Sequence, residues 1–251
     1  MNYKSILNLL GILLAIFSIS FIPPLIISIF YVEPLTEIFL YSFIFLIGLG
    51  GLMWVISRQQ NLTLNIADGF IITTMFWVVL ACAGSIPFYF SGLSASDAIF
   101  ESVSGITTTG ATVISGLDEL PRSLLLYRQL LQWIGGMGLI ILAVAVMPAL
   151  GIGGGQLYKM ELPGSHGNQK LTPKITDSAK ALWKIYFGLT VVCALLYVLS
   201  GMNFFDAVAH SLSTVAGGGF STHDASIGFF NSALIETVCI FFMLLSAASF
   251  A

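Results

Sequence analysis

Apolar residues fill this chain in long, nearly unbroken runs, and polar residues collect between them. A helix needs roughly 18–20 apolar residues to cross a hydrocarbon core. Stretches of about that length predict six spanning helices, at Ile6–Phe30, Ile38–Ser57, Gly69–Phe90, Leu124–Met147, Leu182–Ser200 and from Phe229 to the end. Pro23 and Pro24 predict a kink in the first, which neighbouring helices tolerate in lipid. Two weaker segments, Ser94–Thr112 and Asn203–Ser221, lie between spans, are too short to cross, and end in small or hydroxylated residues.

The two weaker segments are copies of one another. An offset of 109 residues carries Ser91-Gly92 onto Ser200-Gly201 and Asp97-Ala98 onto Asp206-Ala207 without a gap. The same offset pairs Ser102 with Ser211, Ser104 with Ser213 and Gly110 with Gly219. The repeating unit is therefore span, short segment, span. Ser94-x-x-Asp97 and Asn203-x-x-Asp206 read as helix caps with an acid in the first turn. A helix from there to about Thr107 or Val215 runs about 20 Å, enough to enter a membrane but not to cross it.

The stretch after each half-helix carries the candidate chemistry. One half-helix ends in Thr107-Thr108-Thr109-Gly110-Ala111-Thr112, the other in Ala216-Gly217-Gly218-Gly219-Phe220-Ser221. Non-helical backbone at membrane depth is tolerated only where it is buried in protein or lines a watery cavity. Glycine lets carbonyls turn toward a permeating ion, threonine adds hydroxyl oxygens, and a half-helix aims its negative end at the cavity. The stretches contain no carboxylate, so neutral oxygens would replace an ion's water shell, which suits K⁺ better than a divalent cation.

Composition narrows the class. Charged residues make up 8% and hydrophobic residues 57%, too little charge to cover a soluble surface. Together these features describe an all-α polytopic membrane protein. Residues 1–67 supply two N-terminal spans, 68–150 the first repeat, 151–181 a connection and 182–251 the second repeat. No basic cluster invites nucleic acid. With the N-terminus in the cytoplasm, Lys4, Arg58, Lys159, Lys170, Lys174, Lys180 and Lys184 fall inside, and Arg122 and Arg128 outside. Glu33, Glu37, Asp97, Glu101, Asp118, Glu119, Asp206 and Asp224 then sit on or near the outer face, where they either enrich cations or simply tolerate translocation. The Gly151–Lys180 stretch reads as a cytoplasmic connection, with Thr176 or Asp177 opening the next helix. Glu236 lies either inside lipid or at the outer interface.

Other chemistries find little support. Cys82, Cys193 and Cys239 sit in apolar runs without metal-ligand spacing and read as small buried hydrophobes. His166, His210 and His223 lack partners at ligand spacing, and hydrolase, zincin and P-loop motifs are missing, so no catalysis is expected. A broken-helix secondary transporter of another cation is the alternative, although its repeats are usually larger.

The two glycine stretches, the second continuing Gly218-Gly219-Phe220-Ser221-Thr222-His223-Asp224, resemble the first two filters of the Trk-type bacterial potassium uptake proteins, relatives of Ktr and HKT transporters. Gly154-Gly155-Gln156-Leu157-Tyr158, Lys159-Met160-Glu161, Pro163-Gly164 and Leu171-Thr172-Pro173-Lys174-Ile175 are similar to the Trk branch. The resemblance implies K⁺ uptake across the bacterial inner membrane with no organic cofactor. It also implies four span–pore–span repeats around one pathway, a homodimer, and a cytoplasmic ring of nucleotide-binding regulatory subunits. Two repeats are present, so the chain reads as the N-terminal half of such a protein, lacking a C-terminal half with two further repeats. Carried over, Thr107, Thr108, Thr109, Gly110, Ala216, Gly217, Gly218 and Gly219 would hold K⁺, flanked by Ala111, Thr112, Phe220 and Ser221. Gly217 departs from the bulkier residue that the resemblance leads one to expect there.

Overall fold

A computed structural model describes residues 3–58, 66–146 and 171–249, and every regular element in them is helical. The first predicted span is two helices, α1 (Tyr3–Ser18) and α2 (Ile22–Phe30), joined by a 3₁₀ turn at Ile19–Phe21. Pro23 and Pro24 occupy the first turn of α2, where a missing N–H costs no intrahelical bond. Helix α3 (Thr36–Ser57) returns along α1. Their axes approach closely at two glycines, because a Cβ on Gly11 would lie 2.8 Å from the Gly50 carbonyl oxygen and one on Gly50 2.6 Å from that of Gly11. Small residues at such a crossing give membrane helices their packing energy.

The first repeat comprises α4 (Ile66–Gly84), the short α5 (Ile86–Phe90), the half-helix α6 (Ala95–Ile106) and α7 (Arg122–Val146). The span predicted at Gly69–Phe90 is broken at Ser85 because Pro87 cannot supply the next helical N–H. The second repeat comprises α8 (Leu171–Leu199), the half-helix α9 (Phe204–Ala216) and α10 (Ala233–Ser249). Four stretches among the described residues are long and apolar enough to cross a membrane: Tyr3–Phe30, Thr36–Ser57, Ile71–Phe90 and Lys180–Leu199.

Two boundaries differ from expectation. Helix α8 begins at Leu171, so Thr176 and Asp177 lie within it and do not open it. A 3₁₀ turn at Ser226–Phe230 precedes α10, which starts at Ala233, four residues later than predicted. Glu236 then falls in the first turn of α10 and is exposed. The glycine-rich connection motif from Gly154 to Gly164 lies outside the described residues.

Helix α7 sits between the two half-helices and organises both. Gly135 lets α6 end directly against it, since a Cβ there would fall 1.9 Å from the Ile106 carbonyl oxygen. Gly136 admits Ala216 at the end of α9, which a Cβ would approach to 3.3 Å. At its other end, the Glu33 carboxylate accepts from the N–H groups of Arg122 and Ser123 at 2.7 and 3.1 Å. A carboxylate there satisfies orphan donors and complements the helix dipole. Phe21, Phe39 and Phe88 pack around the buried Tyr127 ring, which joins the N-terminal helices to the first repeat.

Candidate functional site: two return segments around one helix

The duplication read from sequence extends to backbone conformation and hydrogen bonding. Ser94 and Asn203 cap their half-helices by accepting from the N–H groups of Asp97 and Asp206, at 3.2 and 2.9 Å. Gly92 and Gly201, before the caps, both have positive φ, at 111° and 98°. After each half-helix the chain turns in the same way. The N–H of Thr108 reaches the Gly105 carbonyl at 3.0 Å, as Gly217 reaches Thr214 at 3.1 Å; Thr109 reaches Ser104 at 2.9 Å, as Gly218 reaches Ser213 at 3.0 Å.

The return segments share an alternation of φ. Thr108 and Gly217 are left-handed at 55° and 68°, and so are Gly110 and Gly219 at 77° and 82°, whereas the residues between them are not. In a strand, successive carbonyls point to opposite sides. Reversing the sign of φ at every second residue works against that alternation and lets carbonyls turn toward a common side. Among the described residues, the carbonyl oxygens of Thr107, Thr108, Thr109, Gly110, Gly217, Gly218 and Gly219 accept no hydrogen bond. Thr107, Thr109, Gly217 and Gly219 are exposed, so the segments present an open face. The Ala111 carbonyl, by contrast, is taken by the Ser104 hydroxyl at 2.5 Å. The Thr107 hydroxyl donates to Val103 at 2.7 Å and meets that of Thr109 at 2.7 Å.

The segments also touch. A Cβ on Gly110 would fall 1.9 Å from the Gly218 carbonyl oxygen, so only glycine allows this approach. At the other face of the pair lies α7. Arg128, fully buried, donates from Nε to Glu101 at 2.7 Å, from one terminal nitrogen to the Thr112 hydroxyl at 3.0 Å, and from the other to the Ser221 carbonyl at 3.1 Å. Its guanidinium stacks over Phe220 at 4.4 Å. Gln132, one turn on and also buried, accepts from the Phe220 N–H at 3.0 Å.

These contacts bear on the expectation of an open acidic vestibule. Glu101 and Arg128, placed by sequence toward an outer face, form an ion pair with neither side chain exposed. Asp206 is likewise only 4% exposed and receives hydrogen bonds from Thr222, at 2.7 Å, and Asn203. Those two acids therefore do not line an open vestibule, although Asp118, Glu119 and Asp224 are exposed. Sequence reasoning missed Arg128 and Gln132 as site residues; the signal that could have found them is that polar residues in an apolar span need partners.

Beyond the return segments the two repeats are laced together. Asp224 accepts from the N–H groups of Gly116 and Leu117, both at 3.1 Å. His223 lies between Asp118 and Asp206, meeting the latter at 3.1 Å, and stacks on Phe229. The hydrogen bond from His223 holds the Asp118 carboxyl below its ordinary value. Among the described residues, no cluster of acids, histidines and cysteines could hold a metal ion.

A profile of the TrkH family, described as a cation transport protein, matches residues 36–251. The chain belongs to the TrkH family. It is 53% identical, over its whole length, to the Trk system potassium uptake protein TrkH of Halomonas elongata, and 49% identical to that of Vibrio parahaemolyticus. The crystal structure of the potassium transporter TrkH from Vibrio parahaemolyticus superposes on 98% of the chain with a TM-score of 0.84 and 46% identity. The chain spans about half the length of these relatives, 52% of the two sequences and 50% of the crystallised chain. The fold is that of an all-α polytopic membrane protein, with two N-terminal spans before two span–pore-helix–span repeats.

Proposed function

We propose that this chain builds the first two pore-lining units of a potassium uptake pathway across the bacterial cytoplasmic membrane. The observation that carries this reading is the pair of return segments with matched φ reversals and unpaired carbonyls, brought edge to edge after half-helices of 12 and 13 residues. Oxygens of Thr107, Thr108, Thr109 and Gly110, and of Ala216, Gly217, Gly218 and Gly219, are assigned to K⁺, and Ala111, Thr112, Phe220 and Ser221 flank them. Unpaired carbonyls at the negative end of a helix favour a monovalent cation that sheds its water readily.

The N-terminus is assigned to the cytoplasm by the placement of lysines and arginines, which puts both return segments on the outer side. The units are assigned as 1–67, 68–150, 151–181 and 182–251, with the opening helices of the two repeats reaching back to Ile66 and Leu171. The family resemblance read from the sequence supports two further repeats in the complete protein, a homodimer and a cytoplasmic nucleotide-binding ring as partner. Rubidium and sodium uptake by the full-length protein, in cells lacking other K⁺ importers, tests the assignment. Gly219→Ser is expected to lower the rubidium-to-sodium ratio several-fold; an unchanged ratio removes Gly219 from the pathway.

A further inference from the structure

Helix α7 offers two buried polar side chains, one turn apart, to the return segments. Arg128 has a hydrogen-bond partner on each of its three guanidinium nitrogens and its charge balanced by Glu101. Gln132 carries no charge and forms one hydrogen bond, from the Phe220 N–H to its Oε1. Its Nε2 is buried without a partner. The Gln132 carboxamide lies flat on the second segment, because a Cβ on Gly218 would come within 2.4–2.6 Å of its carbon, oxygen and nitrogen. Its nitrogen also faces the first segment, 3.6 Å from where a Cβ on Gly110 would stand.

Phe220 is consequently held twice, its N–H by Gln132 and its ring by the Arg128 guanidinium. It directly follows Gly219, so whatever places the Phe220 nitrogen also places the Gly219 carbonyl joined to it. Gly219 has no atom within 4 Å of an added Cβ, so no side chain packs against it from that direction. The local constraint on this peptide comes from the amide of Gln132.

We propose that Gln132 is a positioning residue for ion selection, acting through the Phe220 N–H and the Gly218 backbone to hold the second segment in register with the first. The inference rests on the filter assignment above. Discrimination between ions of similar charge depends on carbonyl placement or on the stiffness of the groups that bear them, and Gln132 supplies either. Releasing one backbone N–H in a buried site also leaves that donor unsatisfied, which favours a displaced peptide.

The test compares rubidium and sodium uptake by the full-length protein carrying Gln132→Met, which keeps length and removes the amide acceptor. Gln132→Asn, whose carboxamide is one methylene too short to reach, serves as the independent variant. Both are normalised to the protein found in the membrane by immunoblotting. The rubidium-to-sodium ratio should fall about fivefold to tenfold and the KM for rubidium should rise, with the maximal rate changed less than twofold. A ratio unchanged in either variant overturns the proposal, as does a loss of maximal rate at constant ratio, the mark of a packing role alone. Gly219→Ser in the same cells separates the two levels. If Gly219→Ser alters the ratio and the Gln132 variants do not, the filter assignment stands and the positioning role fails; if none alters it, both fail.

Discussion

Glu101 and His210 occupy equivalent positions in the two half-helices, and each secures the hydroxyl eleven residues further on, Glu101 that of Thr112 at 2.9 Å and His210 that of Ser221 at 2.9 Å. One geometric task is thus performed by two chemistries. The difference follows from Arg128, whose cation lies against Glu101 and requires a counter-charge there. His210 instead has its second nitrogen on the Asp206 carbonyl at 2.9 Å, so it needs no charged partner for this task.

Glu101→Gln should therefore cost far more than its single lost charge suggests. It leaves the Arg128 cation buried without compensation, a change of about 3–5 kcal/mol in comparable pairs. Thermal unfolding of the detergent-solubilised protein should show a large fall for Glu101→Gln. The double variant Glu101→Gln with Arg128→Met should recover part of it, because removing both charges is gentler than orphaning one. Equal damage from the single and double variants would argue that the pair contributes only through shape.

The two left-handed glycines should separate by mechanism. Both Gly110→Ala and Gly219→Ala place a side chain at positive φ, at a cost of about 1–2 kcal/mol. Only Gly110→Ala also drives its Cβ into the Gly218 carbonyl; at Gly219 the space is open. Gly110→Ala should lower thermal stability well beyond Gly219→Ala, whereas both should disturb the rubidium-to-sodium ratio. Equal melting temperatures would mean that the segments separate freely.

Outside the membrane, Asp118 gives a pH-dependent contribution of definite sign. Its folded carboxyl is held below the ordinary value by the hydrogen bond from His223. The stabilisation is therefore fully present above the unfolded carboxyl value, about 3.9, and is lost as pH falls through the lower folded value. The melting temperatures of parent and Asp118→Asn should differ at pH 7 and converge well below pH 4. A gap that persists in acid would show that the contact does not depend on the carboxylate charge.

The sequence revealed the repeat because its traces are local. Caps at Ser94 and Asn203, and glycines at 110 and 219, each serve a backbone need that only a few residue types meet. The predicted end of the first half-helix at about Thr107 lies one residue from the observed Ile106 for the same reason. Depth was not legible. Glu101 lies less than two turns from the cap of its half-helix, and Arg128 lies in the second turn of α7. Either side chain could have reached water by sequence distance alone. That they face one another is set by the crossing of α6 and α7, a tertiary fact, and local pattern does not report it. Gly217, where a larger residue was expected, sits at φ 68° beside an open space, so glycine there relieves the strain that Thr108 bears at 55°.

Helix α7 belongs to the first repeat by chain order and to both repeats by contact. The ancestral duplication has therefore not yielded interchangeable parts. A second half-helix moved into the first position would bring a histidine where Arg128 needs an acid, and a first half-helix moved into the second would place a carboxylate without that cation. Exchange of the half-helices alone should therefore fail at this pair, whatever else the two repeats tolerate.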